Sequence, residues 1–166
     1  MEYDLHMREA LEVAQAAMDA GEFPVGCVIT YKGKTVATGA REHSRGNFKN
    51  ELDHAEMVAL RRLSEIPGNI DAAQLVVFCT MEPCIMCLGA IILSGIRKIV
   101  YAYEDVMGGG TNCDLTALKP LYSDHQITIV PNIMRTESVA LFKSYYADPG
   151  NDYWKGSLLA KYTLGQ

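Results

Sequence analysis

Two short clusters in this 166-residue sequence carry side chains suited to metal chemistry: His54-Ala55-Glu56 and Pro83-Cys84-Ile85-Met86-Cys87. Taken singly, each has a plain explanation. A Cys-x-x-Cys pair can be two buried helix cysteines, a redox pair or half of a structural zinc site. Most His-x-Glu triplets are solvated helix starts. Taken together, the two clusters say more. Cys84 and Cys87 stand three apart at the start of a helix, on one face of its first turn. Amide N–H groups and the helix dipole there favour thiolate over thiol. His54 also opens a helix, and residues two apart on a regular helix do not face each other. His54 and Glu56 therefore converge only if His54 occupies the non-helical cap, where the Asp53-His54 sequence places it. Two helix starts aimed at one point would deliver a neutral imidazole, two thiolates and a carboxylate.

Ligand count separates the kinds of zinc site. A structural zinc usually has four protein ligands, whereas a catalytic zinc has three and leaves a position for water. No second Cys-x-x-Cys or His pair completes a set of four. Cys27 and Cys79 fall on apolar strands and read as buried residues; Cys113 has no assignment. A thioredoxin-like redox role explains neither His54 nor Glu56.

The elements that must position these groups follow from periodicity. Helical spacing of apolar residues marks helices over 5–20, 54–66, 84–94 and 136–146, with a weak one near 115–118. β-branched runs mark strands at 25–31, 35–38, 75–79, 98–103 and 126–130, the first two joined as a hairpin across Lys32-Gly33-Lys34. Residues 74–103 then form a strand-helix-strand unit. The whole reads as an α/β protein, a three-layer α/β/α sandwich around a mixed five-stranded sheet. One domain over 1–166 is expected, with 148–166 as an aromatic, helical C-terminal extension.

Composition narrows the partners. Hydrophobic residues make up 49% of the chain, enough for one substantial core, and no stretch suits a membrane span. The acidic start Met1-Glu2-Tyr3-Asp4 is unlike a signal peptide, and five cysteines are an odd number. A cytoplasmic protein with reduced thiols is expected. The net charge is −5, and basic residues cluster no further than Arg61-Arg62 and Arg97-Lys98. That balance argues for a small substrate over a polynucleotide, since phosphate neutralisation usually leaves a basic stripe.

The combined pattern H-x-E…P-C-x-x-C resembles the zinc-binding signature of the cytidine and deoxycytidylate deaminase superfamily. In style it is closest to the branch holding tRNA adenosine deaminases and the small bacterial guanine and cytosine deaminases. The likeness runs from Phe23-Pro24-Val25-Gly26 to Tyr103 and includes Thr80-Met81-Glu82 ahead of Pro83. The resemblance implies one Zn²⁺ per subunit held by His54, Cys84 and Cys87, with water or hydroxide as fourth ligand. It implies Glu56 as the proton shuttle and a contact to the reacting centre from around Glu82. It also implies a homodimer or higher homo-oligomer, for which the apolar helix 85–93 and the C-terminal aromatics offer surfaces.

The sequence departs from the family pattern near the base. Many relatives carry Gly-x-Asn after the second strand, where this chain has Gly39-Ala40-Arg41, and Glu51-Leu52-Asp53 stands where Pro-Thr-Ala often precedes the histidine. Arg41 either pairs with a carboxylate or reads a substrate carbonyl or phosphate. Asn47 and Asn50 lie further along the loop, and His43 reads as a solvated loop histidine. In the small guanine deaminases an acid after the fourth strand and a C-terminal aromatic shape the base pocket. Candidates here are Glu104, Asp105 and Asp114 for the acid, and Tyr153, Trp154 and Tyr162 for the aromatic. The expected substrate contacts are Arg41, Asn47, Glu82 and Asp114. The expected activity is hydrolytic deamination of a small purine or pyrimidine base or nucleoside. The alternatives are a tRNA wobble adenosine-to-inosine deaminase and a non-catalytic zinc-stabilised binding module.

Overall fold

The computed structural model describes residues 2–166. In chain order it runs α1 (Glu2–Asp19), β1 (Gly26–Tyr31), β2 (Lys34–Ala40), α2 (Ala55–Ser64), β3 (Leu75–Met81), α3 (Ile85–Leu93), β4 (Lys98–Tyr103), α4 (Pro120–Ser123), β5 (Thr128–Val130), α5 (Arg135–Ala147) and α6 (Leu158–Leu164). The five strands form one mixed sheet in the order β2-β1-β3-β4-β5. β1 is antiparallel to both β2 and β3, whereas β3, β4 and β5 run parallel. This is the α/β sandwich that the periodicity predicts.

Alternation along the strands sorts side chains to two cores. On one face α1 buries Met7 and Ala10 against Val28, Phe78 and Val100. On the other, Ile29, Val77 and Ile99 meet Ala55 and Ala59 of α2 and Leu88 and Ile91 of α3. α5 packs beside α1 and against β4. Two strand glycines set how closely the helices approach. A Cβ on Gly26 would stand 2.2 Å from the Ala10 carbonyl oxygen, and one on Gly39 would stand 2.1 Å from that of Ala55. With no side chain at Gly39, the first turn of α2 lies directly on the sheet, which fixes where that helix starts.

Several ends differ from the sequence expectation. β3 extends to Met81 and so carries the chain up to Pro83. β5 is only three residues long. The weak helix near 115–118 is a 3₁₀ turn, Leu115–Ala117, because Asp114 accepts from Thr116 N and closes a single turn. The C-terminal segment is part of the main core: Tyr153 and Leu159 pack with Phe23 and Phe142. Ser157 Oγ caps α6 by accepting from Ala160 N at 3.1 Å.

Candidate metal centre and active site

His54 is the N-cap of α2, extended at φ −66° and ψ 152°, and Cys84 is the N-cap of α3, at φ −70° and ψ 172°. Neither side chain bonds to its own helix start. Both instead turn toward the same point, where Cys87, in the first turn of α3, completes a cluster. The donor atoms of His54, Cys84 and Cys87 all lie within 4.8 Å of one another. His54 Nδ1 is 3.5 Å from Cys84 Sγ and 3.6 Å from Cys87 Sγ. Tetrahedral bonds of zinc to nitrogen and sulfur imply an N···S separation of roughly 3.6 Å. The donor set therefore fits one Zn²⁺, and three protein ligands leave the fourth position to water. Glu56 is outside the donor cluster.

The charges suit this chemistry. The Cys84 thiol is pulled down to about 4, first by its hydrogen bond from Cys87 and then by His54 and a backbone N–H. The same shared proton, together with burial, pushes the Cys87 thiol up. For His54, burial alone would depress the imidazole, but the Cys84 thiolate and Glu56 reverse this and raise it. Glu56 is 4% exposed, and burial raises its carboxyl above the usual range against the opposing pull of a backbone hydrogen bond and His54. A buried carboxyl with a raised pKa is the kind of group that can take up a proton and pass it on.

A cavity of about 160 Å³ opens onto this centre, with His54, Glu56 and Cys84 at its floor. Phe23, Val25, Met81 and Leu159 make an apolar wall suited to a flat heteroaromatic ring. The loop after β4 closes another side through Asp105, Met107 and Gly108. That loop is tied down at two places. Gly109 bridges to Cys84, and Glu82 accepts from Asp105 N and Thr111 N, each at 3.1 Å, and from Thr111 Oγ1. Gly110 is required here because a Cβ would meet Ile85 N at 2.6 Å. Tyr153 and Trp154 supply the remaining rim, anchored by Tyr153 packing on Phe23 with ring centroids 5.0 Å apart.

Residues 1–103 match the family model of the cytidine and deoxycytidylate deaminase zinc-binding region. The chain belongs to this deaminase family. It is 28% identical over 146 residues to the tRNA-specific adenosine deaminase of Bacillus subtilis, covering 87% of this chain and 89% of that protein. It is 27% identical over 140 residues to the tRNA-specific adenosine deaminase of Streptococcus pyogenes serotype M18, covering 84% and 87%. A structure from a study of A-to-I editing by tRNA:A34 deaminases at the wobble position superposes with a TM-score of 0.64 at 27% identity, covering 76% and 97%. The guanine deaminase of Nitrosomonas europaea shares the fold, with a TM-score of 0.68 at 23% identity and coverage of 87% and 85%. The chain is thus a zinc-dependent hydrolase of C–N bonds, with His54, Cys84 and Cys87 positioned to bind one metal ion.

The deaminase pocket sorts the residues that the sequence singled out. His54, Glu56, Cys84, Arg41 and Glu82 line it, while Cys87 lies buried behind Cys84. Asn47 is exposed on its loop and does not reach the wall. Asp114 spends its carboxylate on Thr116 N and Oγ1 and is also absent from the wall; of the acids after β4, Asp105 is the one that lines the cavity. Glu104 instead pairs with Arg135 and Tyr162, taking both away from the pocket. Arg41 is 2% exposed. Its Nη1 donates to the carbonyls of Glu42, Asn50 and Asp53, and its Nη2 reaches Glu51 at 3.4 Å and Tyr153 Oη at 3.5 Å. His43 is not solitary, since Nδ1 meets Asp53 at 2.8 Å. Glu51 is a wall residue that sequence reasoning passed over. Its signal was present as the break from the Pro-Thr-Ala pattern.

Proposed function

We propose that the chain deaminates adenosine in tRNA by hydrolysis, with Glu56 as the proton carrier. The observation that supports this substrate is the likeness to tRNA-specific adenosine deaminases, which spans most of both chains. Zinc, when bound, lowers the pKa of water from about 16 toward neutrality and so supplies the nucleophile. Glu56 takes the proton given up by that water and passes it to the ring nitrogen beside the amino-bearing carbon. Addition of the oxygen to that carbon makes it tetrahedral. A second proton, handed on by Glu56, lets the amino group leave as ammonia and restores the ring as its oxo form. Phe23, Val25, Met81 and Leu159 hold the ring flat and keep bulk water off the reacting carbon. A tRNA substrate must splay the base out of its stack to enter, as enzymes that act on bases require.

A second reading, a free base or nucleoside, is favoured by the acidic balance of the chain and by Glu51 and Asp105, which line the cavity in addition to Glu56 and Glu82. One panel separates the two. Zinc-loaded enzyme is incubated with a tRNA carrying adenosine at the wobble position, and separately with adenine, guanine, cytosine and their nucleosides. Inosine and ammonia are then measured. Inosine in the tRNA with no turnover of the small substrates is expected; turnover of a free base with intact tRNA adenosine would replace the first reading with the second. The Glu56→Gln variant should retain one zinc and lose turnover by about 10²–10⁴-fold. Near-normal rates in that variant would remove Glu56 from the mechanism. The exposed Ile85 and Leu93 of α3 support a homo-oligomer as the working assembly, to be checked by sedimentation.

A further inference from the structure

We propose that Glu51 is a positioning residue for the zinc ligand His54, and that Tyr153 holds Glu51 in that role. The inference rests on the metal site and is independent of which substrate is used.

His54 turns Nδ1 to the two sulfurs, so Nε2 must carry the ring proton when the metal is bound. The atom facing Nε2 is Oε2 of Glu51, 3.9 Å away. That separation is longer than a direct hydrogen bond, and a small turn of the Glu51 side chain or one bridging water closes it. A ligand histidine commonly donates its second N–H to a carboxylate, which fixes the ring plane and raises the basicity of the ligating nitrogen.

Glu51 is not loosely placed. Its side chain is 53% exposed, and a carboxylate so open to water gains little from a fixed partner. Yet its Oε2 accepts from Tyr153 Oη at 2.7 Å and lies 3.4 Å from Arg41 Nη2. Tyr153 comes from the C-terminal segment, 102 residues away, and is itself packed on Phe23. Arg41 reaches the same stretch from the other side, because Nη1 takes the carbonyls of Asn50 and Asp53 that flank Glu51 and precede His54. The loop, the carboxylate and the C-terminal segment are thereby locked together beside the ligand.

The test measures metal retention as well as activity. Zinc-loaded Glu51→Ala, Glu51→Gln, Tyr153→Phe and the Glu51→Ala/Tyr153→Phe double variant are titrated with a colorimetric zinc chelator. The visible spectra of their Co²⁺-substituted forms are recorded alongside. Glu51→Ala and Glu51→Gln are expected to lose about 10–100-fold in zinc affinity, with a shifted cobalt band. Tyr153→Phe should lose less, and the double variant no more than Glu51→Ala alone, since the hydroxyl acts through the carboxylate. Zinc affinity within twofold of the parent and an unchanged cobalt spectrum in Glu51→Ala would overturn the proposal. So would a changed substrate KM at unchanged zinc affinity, which would make Glu51 a substrate contact. Independent, additive losses in the double variant would break the link to Tyr153. If Glu51→Ala does not fold, Tyr153→Phe decides alone: several-fold weaker zinc binding supports the proposal, and unchanged binding refutes it.

Discussion

Arg41→Ala separates two roles that the sequence left open for this side chain. The guanidinium is 2% exposed and donates through Nη1 to three backbone carbonyls, those of Glu42, Asn50 and Asp53. Its face lies over the Tyr153 ring, 5.4 Å from the centroid, and Nη2 reaches Glu51. Truncation leaves three acceptors without this donor, and each charge-assisted bond contributes about 1.5–3 kcal/mol when buried. The loop lies near the surface, so water can reach some of the freed carbonyls, and the losses do not simply add. A net cost of about 3–5 kcal/mol follows, in line with breaking a buried charged network. With a urea m-value of about 2 kcal/mol/M, the midpoint should fall by about 2 M. The assay is urea unfolding followed by circular dichroism at a fixed, buffered zinc concentration, because free zinc shifts the apparent stability. Steady-state kinetics on the same preparations complete the comparison. A loss below about 1 kcal/mol together with a raised KM would refute the structural role and make Arg41 a reader of substrate.

Three further substitutions probe the elements that position the site. Gly39→Ala should destabilise the protein by about 1–3 kcal/mol and lower activity, because its Cβ would strike the Ala55 carbonyl and Ala59 N and push α2 off the sheet; thermal unfolding and kcat/KM read both. Glu82→Gln should free the loop after β4, speeding amide exchange at Asp105 and Thr111 while β4 stays protected; unchanged protection at those two amides would count against the brace. Glu104 is held down to about 2, chiefly by Arg135 and then by Tyr162, against an ordinary value of 4.5. Its stabilisation is present above pH 4.5 and fades as pH falls from there toward 2. For this partly exposed pair, Glu104→Gln should cost about 1 kcal/mol at pH 7 and nothing measurable near pH 2.

The metal centre was legible in the sequence because its donors sit at helix starts, where spacing alone fixes direction. The need for His54 to be a cap, read from the two-residue gap to Glu56, is met in the structure. Cys84 proves to be a cap as well, so the helix predicted to begin at 84 begins one residue later, at Ile85. The sheet was legible because β1, β3 and β4 are buried runs with little ambiguity of period. The rest of the pocket was not. Arg41, Glu51 and Tyr153 meet across 112 residues of chain, and no local pattern registers a contact of that range. Nor does spacing distinguish Asp105 from Asp114 in one loop. The difference comes from which acid faces the cavity and which spends its oxygens on the next turn of its own backbone.

Both cap positions that start the metal-bearing helices are given to donors that make no capping bond. Serine or aspartate at such a position would contribute about 1 kcal/mol to its helix, so the fold forgoes about 2 kcal/mol across α2 and α3. A bound ion would brace both helix starts in one event, since the residues that could hold it are the two cap residues and one first-turn residue. Loading the metal would therefore tighten both helix starts together. Stripping zinc with a chelator should then show first as faster amide exchange in these two first turns, ahead of any change in the sheet.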